Sequence, residues 1–152
     1  MKLAEALVLR SDGQRKIEQL KHRLEQVVKV QEDDTPGEDP HELFQELART
    51  VDEVYVLIRK INKTNAQTWF DEQRTLADVL TERDRILTKR RVLSETLQHA
   101  TTRLDRYTRM EVKYYRTIDV AALQREVDEL SKTYRELDLR VQEKNWTVEL
   151  LD

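Results

Sequence analysis

The 152-residue chain contains no cysteine and only two glycines and two prolines. Without thiols it can form no disulfide framework, thiolate metal site or cysteine nucleophile, and this sets the cytoplasm as the expected location. Two glycines cannot build a phosphate-cradling loop, and so few turn-forming residues leave an all-β fold without punctuation. No run approaches the roughly 20 apolar residues of a membrane-spanning helix. Glu5 interrupts the opening stretch Met1-Lys2-Leu3-Ala4-Glu5-Ala6-Leu7, so no signal-peptide core is expected there and no membrane partner is assigned. A charge bias is also missing. The 27 basic and 30 acidic side chains nearly cancel to a formal net charge of -3 and are interspersed, so nucleic acid is not an expected partner.

What the chain does have is helical period. From Val120 to Val141 apolar residues fall at Val120, Leu123, Val127, Leu130, Tyr134, Leu137 and Val141, the three-four alternation of a coiled-coil seam. A helix with one such narrow stripe must lay it against other helices, in its own chain or in another copy. Three similar segments precede it. The first runs over about 2–30 with Leu3, Leu7, Ile17, Leu20, Leu24, Val27 and Val28 on one side, and Ser11-Asp12-Gly13 is its weak point. One continuous helix is the favoured reading. An acidic loop over 31–39 separates it from the second helix, over about 40–62, which Asp39 caps and Pro40 opens. Leu43, Leu47, Val51, Val54, Ile58 and Ile61 form the second stripe, with Phe44 widening it, and Asn62, Thr64 and Asn65 suit a helix end. The third helix, about 75–104, starts with Thr75 and Asp78 in a capping-box spacing; the fourth, about 119–145, starts at a capping Asp119.

The expected fold is therefore all-α or mainly α, a single domain over 1–152 with four long helices in an antiparallel bundle or coiled-coil arrangement. Two short connectors read as β-like. Met110, Val112, Tyr114 and Ile118 alternate with polar residues across 110–118, and Thr68, Trp69 and Phe70 give 65–72 a weaker strand tendency. A lone strand needs a partner, which such a connector finds by pairing between copies or by folding on itself.

The seven-residue repeat of the third helix brings Arg83 and Arg90 onto its inward stripe beside Val79, Ile86, Leu93, Leu97, Ala100 and Leu104. There they either meet carboxylates from another helix, fixing register or oligomer state, or extend along the surface into water. Arg83, Arg90, Val112, Tyr114, Tyr134 and Trp146 are accordingly the candidate residues for helix packing or self-association. No catalytic residue, metal or cofactor is expected. Asp33, Asp34, Asp39 and His41 supply oxygen and imidazole ligands for a divalent ion only weakly, because they lack calcium-loop spacing and acidic residues suit a helix N-terminus anyway. His22 and His99 have no evident catalytic companion, and Ser94 and Ser131 lie within helices.

Several segments in order, Met1 to Leu7, Val30-Gln31-Glu32 with Glu38-Asp39-Pro40, Ile61-Asn62-Lys63-Thr64-Asn65, Thr75-Leu76-Ala77-Asp78, Arg83-Asp84, Asp105-Arg106-Tyr107 with Glu111-Val112-Lys113-Tyr114, and Asn145-Trp146, resemble a family of small bacterial proteins of unknown function, some labelled septicolysin. The resemblance covers essentially the whole chain. It implies a mainly helical fold and a homo-oligomer, a hexamer being one form it suggests, and carries over no catalytic residue. Gly13 departs from the apolar residue expected at its position. The residues point first to a non-enzymatic, self-associating helical protein with a structural, scaffold or partner-binding role. An enzyme or metal-dependent protein with a site between subunits comes second, and the membrane attack suggested by the septicolysin label comes third.

Overall fold

The computed structural model describes residues 1–102 and 113–152. Among them the fold is all-α, with helices α1 (Leu3–Val27), α2 (Pro40–Gln67), α3 (Leu76–Thr101) and α4 (Val120–Thr147). The chain divides into two compact units, one formed by residues 1–77 and 142–152, the other by residues 78–141.

In the first unit α1 and α2 form an antiparallel hairpin, as the pairs Lys16–Glu46 and Arg23–Glu38 show. The inward face of α1 is Leu3, Ala6, Arg10, Gly13, Ile17, Leu20, Leu24 and Val27, a three-four repeat unbroken by glycine. Leu20, Leu24 and Val27 pack with Leu43 and Leu47 into the core at the loop end of the hairpin. Gly13 keeps the helix continuous for a steric reason. A Cβ at this position would meet Val54 Cγ2 inside the 3.0 Å that real Cβ atoms observe, so the missing side chain lets the two helices approach.

Helix α2 begins as expected, with the Asp39 side chain accepting from the His41 N–H at 2.9 Å and Pro40 in the first turn. It does not end at Asn62. Thr64 is fully buried, donates its hydroxyl to the Lys60 carbonyl at 2.8 Å and accepts the Leu151 N–H at 2.9 Å. A hydroxyl bonded back along its own helix satisfies itself without breaking the ladder, so α2 continues five residues beyond the expected end, from Asn62 to Gln67.

Residues 68–75 carry no strand. This connector folds on itself through a single bridge between Trp69 and Thr75. Its pivot is Asp71, whose Oδ1 accepts from the backbone N–H groups of Gln73 and Arg74 at 2.9 and 2.8 Å, while Oδ2 takes the Arg74 guanidinium at 2.7 and 2.9 Å. The guanidinium also lies 5.5 Å from the centre of the Phe70 ring, which is buried. Donors to an aspartate outweigh a weak strand propensity here, and the result is a turn. The first unit is closed by a clasp: Leu3 N–H donates to Val148 O, Leu150 N–H to Met1 O, and Glu149 pairs with Lys2.

In the second unit α3 and α4 run antiparallel, tied by Arg83–Asp138 and Lys89–Glu126. Asp119 caps α4 by accepting the Ala122 N–H at 3.0 Å. The stripe Val120 to Val141 is turned inward along its whole length, with Val127 and Val141 buried and the others half-buried. Residues 113–118 form no strand; Met110 and Val112, with which the expected strand began, lie outside the described residues, as does Leu104 at the expected end of the third helix.

Two outcomes test this account. Gly13→Ala should destabilise the protein by up to about 2 kcal/mol in urea titrations, because overpacking at Val54 outweighs the roughly 1 kcal/mol gain in helix propensity. In a Val54→Ala background the same change should become neutral or stabilising. The Asp71 carboxyl is held down at about 2 by the Gln73 N–H, then the Arg74 side chain and N–H. Its contribution is therefore fully present above the ordinary value of 3.8 and lost as pH falls through about 2. Carbon-detected NMR titration should find Asp71 near that value, and Arg74→Gln should raise it part of the way back while both backbone donors remain.

Candidate interaction surfaces

The seam arginines behave differently from one another. Arg83 Nη1 lies 2.8 Å from Asp138 Oδ1, a pair whose side chains are 25% and 28% exposed, so the charge is met across the α3/α4 hairpin. Its Nε is buried and makes no hydrogen bond among the described residues. Among the described residues Arg90 faces no carboxylate across the seam. Its guanidinium instead sits 5.2 Å from the centre of the Tyr134 ring, where the negative ring face receives it. The seven-residue repeat thus sets two kinds of polar layer in one seam, an ion pair and a cation–π stack two turns further along. Beside the second layer a cavity of about 570 Å³ opens along the hairpin, lined by Leu87, Arg90, Arg91, Ser94, Val127 and Ser131.

The remaining candidates are dispersed. Tyr114 is exposed and lines a hollow of about 490 Å³ with His99, Tyr115, Arg116 and Ile118, where Arg116 Nε donates to the Ala100 carbonyl at 3.0 Å. Val112 lies outside the described residues. Trp146, in the last turn of α4, is exposed over a small groove of about 290 Å³ against Ala4, Leu7, Val8, Ser11 and Arg15 of α1. The acidic residues do not converge. Asp39 is spent on capping, Asp34 accepts the Thr35 N–H, and His41 Nε2 meets the Gln45 side chain. Among the described residues no three His, Cys, Asp or Glu side chains come close enough to hold a metal.

The other acid–base shifts belong to exposed ion pairs. The Arg23 side chain bonded to Glu38 holds that carboxyl below its usual range, and Lys2 does the same to Glu149.

Two features were missed in the sequence. Asp138, the carboxylate that meets Arg83, falls one residue after the seam position Leu137 and so reads as flanking. On α2, Phe44 and Tyr55 are exposed although each stands in helical register with Val51 and Ile58. Their spacing was the available signal, and it merges with the first stripe when both are read as one broad face.

Comparison with known proteins agrees with the fold. A crystal structure of a functionally unknown conserved protein from Corynebacterium diphtheriae superposes with a TM-score of 0.91 at 44% sequence identity, covering 99% of each chain. No curated protein sequence matches. The sequence profile of a family of unknown function, DUF6847, matches residues 10–150, nearly the whole chain, and the protein belongs to that family.

Proposed function

We propose that this protein is a non-enzymatic, self-associating helical protein whose role is structural or partner-binding. The observation that carries this reading is the state of the α3/α4 seam. Among the described residues of 78–141 only Val79, Ile86, Val127 and Val141 are buried, whereas Leu93, Leu97, Leu123, Leu130, Tyr134 and Leu137 remain half-buried. Two helices shield a shared seam from each other's side only, and leucines in a heptad gain their full burial when further helices close the remaining sides. Exposed Val92 and Leu139 on the same hairpin add apolar surface that a partner would cover. Polar layers such as Arg83–Asp138 and Arg90–Tyr134 then act chiefly on register, because they contribute little net stability but are costly to mismatch.

No helix among the described residues is long and apolar enough to cross a membrane.

Native mass by light scattering over a wide concentration range should give a defined oligomer at micromolar protein. A monomer throughout would remove the self-association reading. The combined change Arg83→Leu and Arg90→Leu should alter subunit number or association strength while helix content by circular dichroism stays within a few per cent. Unchanged mass with reduced stability would show that both layers serve only their own hairpin.

A further inference from the structure

Helix α2 carries two seams, not one. The first, Leu43, Leu47, Thr50, Val54, Leu57, Ile61 and Thr64, faces α1, with Leu43, Thr50, Val54, Ile61 and Thr64 buried. One residue further along, Phe44, Ala48, Val51, Tyr55, Ile58 and Asn62 repeat the same four-three spacing over about 27 Å of helix. At 100° per residue this second stripe lies about a quarter-turn from the first. It is open: Phe44 is 52% and Tyr55 63% exposed, Ala48 and Asn62 are exposed, and Val51 and Ile58 are half-buried. Trp69, 62% exposed, lies in the turn just beyond the end of α2.

Resting on the self-association reading, we propose that this second seam is the interface with a second copy of the chain, α2 packing antiparallel on α2 across a two-fold axis near Val56 and Leu57. The stripe is self-complementary in that register and orientation. Tyr55 of one copy faces Ile58 of the other and Val51 faces Asn62, while Phe44 of each copy lies towards the end of the partner's α2, which exposed Trp69 follows, so aromatic side chains flank the contact at both ends. Charge selects the orientation. The outer flank of the stripe carries Asp52 and Arg59, both exposed and neither in an ion pair among the described residues. An antiparallel pair sets outer flank against outer flank and brings Asp52 of each copy beside Arg59 of the other, twice by symmetry. In a parallel pair the outer flank would instead face the inner one, which consists of Leu47, Val54 and Ile61 and has no charge to offer. Sliding the antiparallel pair by one heptad towards the N-terminus would oppose Asp52 to its own symmetry mate, so repulsion disfavours that register.

The test combines native mass with cross-linking. Tyr55→Cys gives the otherwise cysteine-free chain a single thiol beside the axis, and mild oxidation should yield a covalent dimer. Arg49→Cys, exposed on the opposite flank of α2, should not. Tyr55→Asp should weaken association by about 30-fold or more, the scale of a buried aromatic anchor. Asp52→Arg and Arg59→Asp should each weaken it, and the two together should restore it, with the rescue fading at high salt. An oligomer that tolerates Tyr55→Asp, cross-links equally at both thiols and shows no charge rescue would overturn the α2 seam while leaving self-association intact. A monomer at every concentration would overturn both. Because Tyr55 and Arg59 are exposed, retained helix content in the variants separates lost association from lost folding.

Discussion

The spacing of apolar side chains along the helices is the constraint on which the rest depends. A four-three repeat places one narrow strip of each helix inward and leaves the remaining surface to charged residues, which make up 38% of this chain. Two such helices in a hairpin cover a strip from one direction only. The first unit compensates by bringing α1 and α2 close at Gly13 and Val54 and by closing its base with the segment 142–152 and the buried Phe70. Among its described residues the second unit has the half-open α3/α4 seam. Its leucines are therefore where further burial offers the largest gain, at about 25 cal/mol for each Å² of apolar surface removed from water.

Polar residues enter these seams under different terms. Thr50 and Thr64 are buried because each hydroxyl donates to a carbonyl one turn back, Glu46 and Lys60 at 2.8 Å, and so enters the core already satisfied. Arg83 and Arg90 cannot satisfy themselves within one helix. One takes a carboxylate from α4 and the other an aromatic face from the same helix, so both depend on the α3/α4 register. A register slip of one heptad would separate Arg83 from Asp138 and Arg90 from Tyr134 together. That makes the polar layers stronger determinants of alignment than of stability.

The fold was legible wherever one periodicity acted alone. The stripe from Val120 to Val141 and the caps at Asp39 and Asp119 follow from spacing and side-chain chemistry, and the structure places each of them accordingly. Legibility failed where a side chain had two possible uses. Asn62, Thr64 and Asn65 have the chemistry of a helix end, but Thr64 spends its hydroxyl on Lys60 and the backbone N–H of Leu151, a residue 87 positions away in sequence. Trp69 and Phe70 have strand propensity, yet Asp71 gathers enough local donors to fold the segment into a turn. Two seams offset by one residue on α2 read as one broad stripe, because sequence shows the angle a face subtends without showing where one neighbour stops and another begins.

That ambiguity bears on where function resides. An active site commonly shows itself through titratable groups displaced by burial and by each other. Here the lowered Asp71 carboxyl is explained by the turn it holds, and Glu38 and Glu149 are explained by their exposed basic partners. These shifts have structural causes. The surfaces are less fully accounted for: a helix with a quarter-turn between two heptad stripes has the geometry of a corner position, contacting one neighbour on each side, as helices do in a four-helix bundle. One of those neighbours is α1. The exposed aromatic residues Phe44 and Tyr55, the adjoining Trp69 and the opposed charges at Asp52 and Arg59 give the other stripe the chemistry of a specific contact, since undirected apolar exposure would require neither a four-three repeat nor charges spaced for their own symmetry mates.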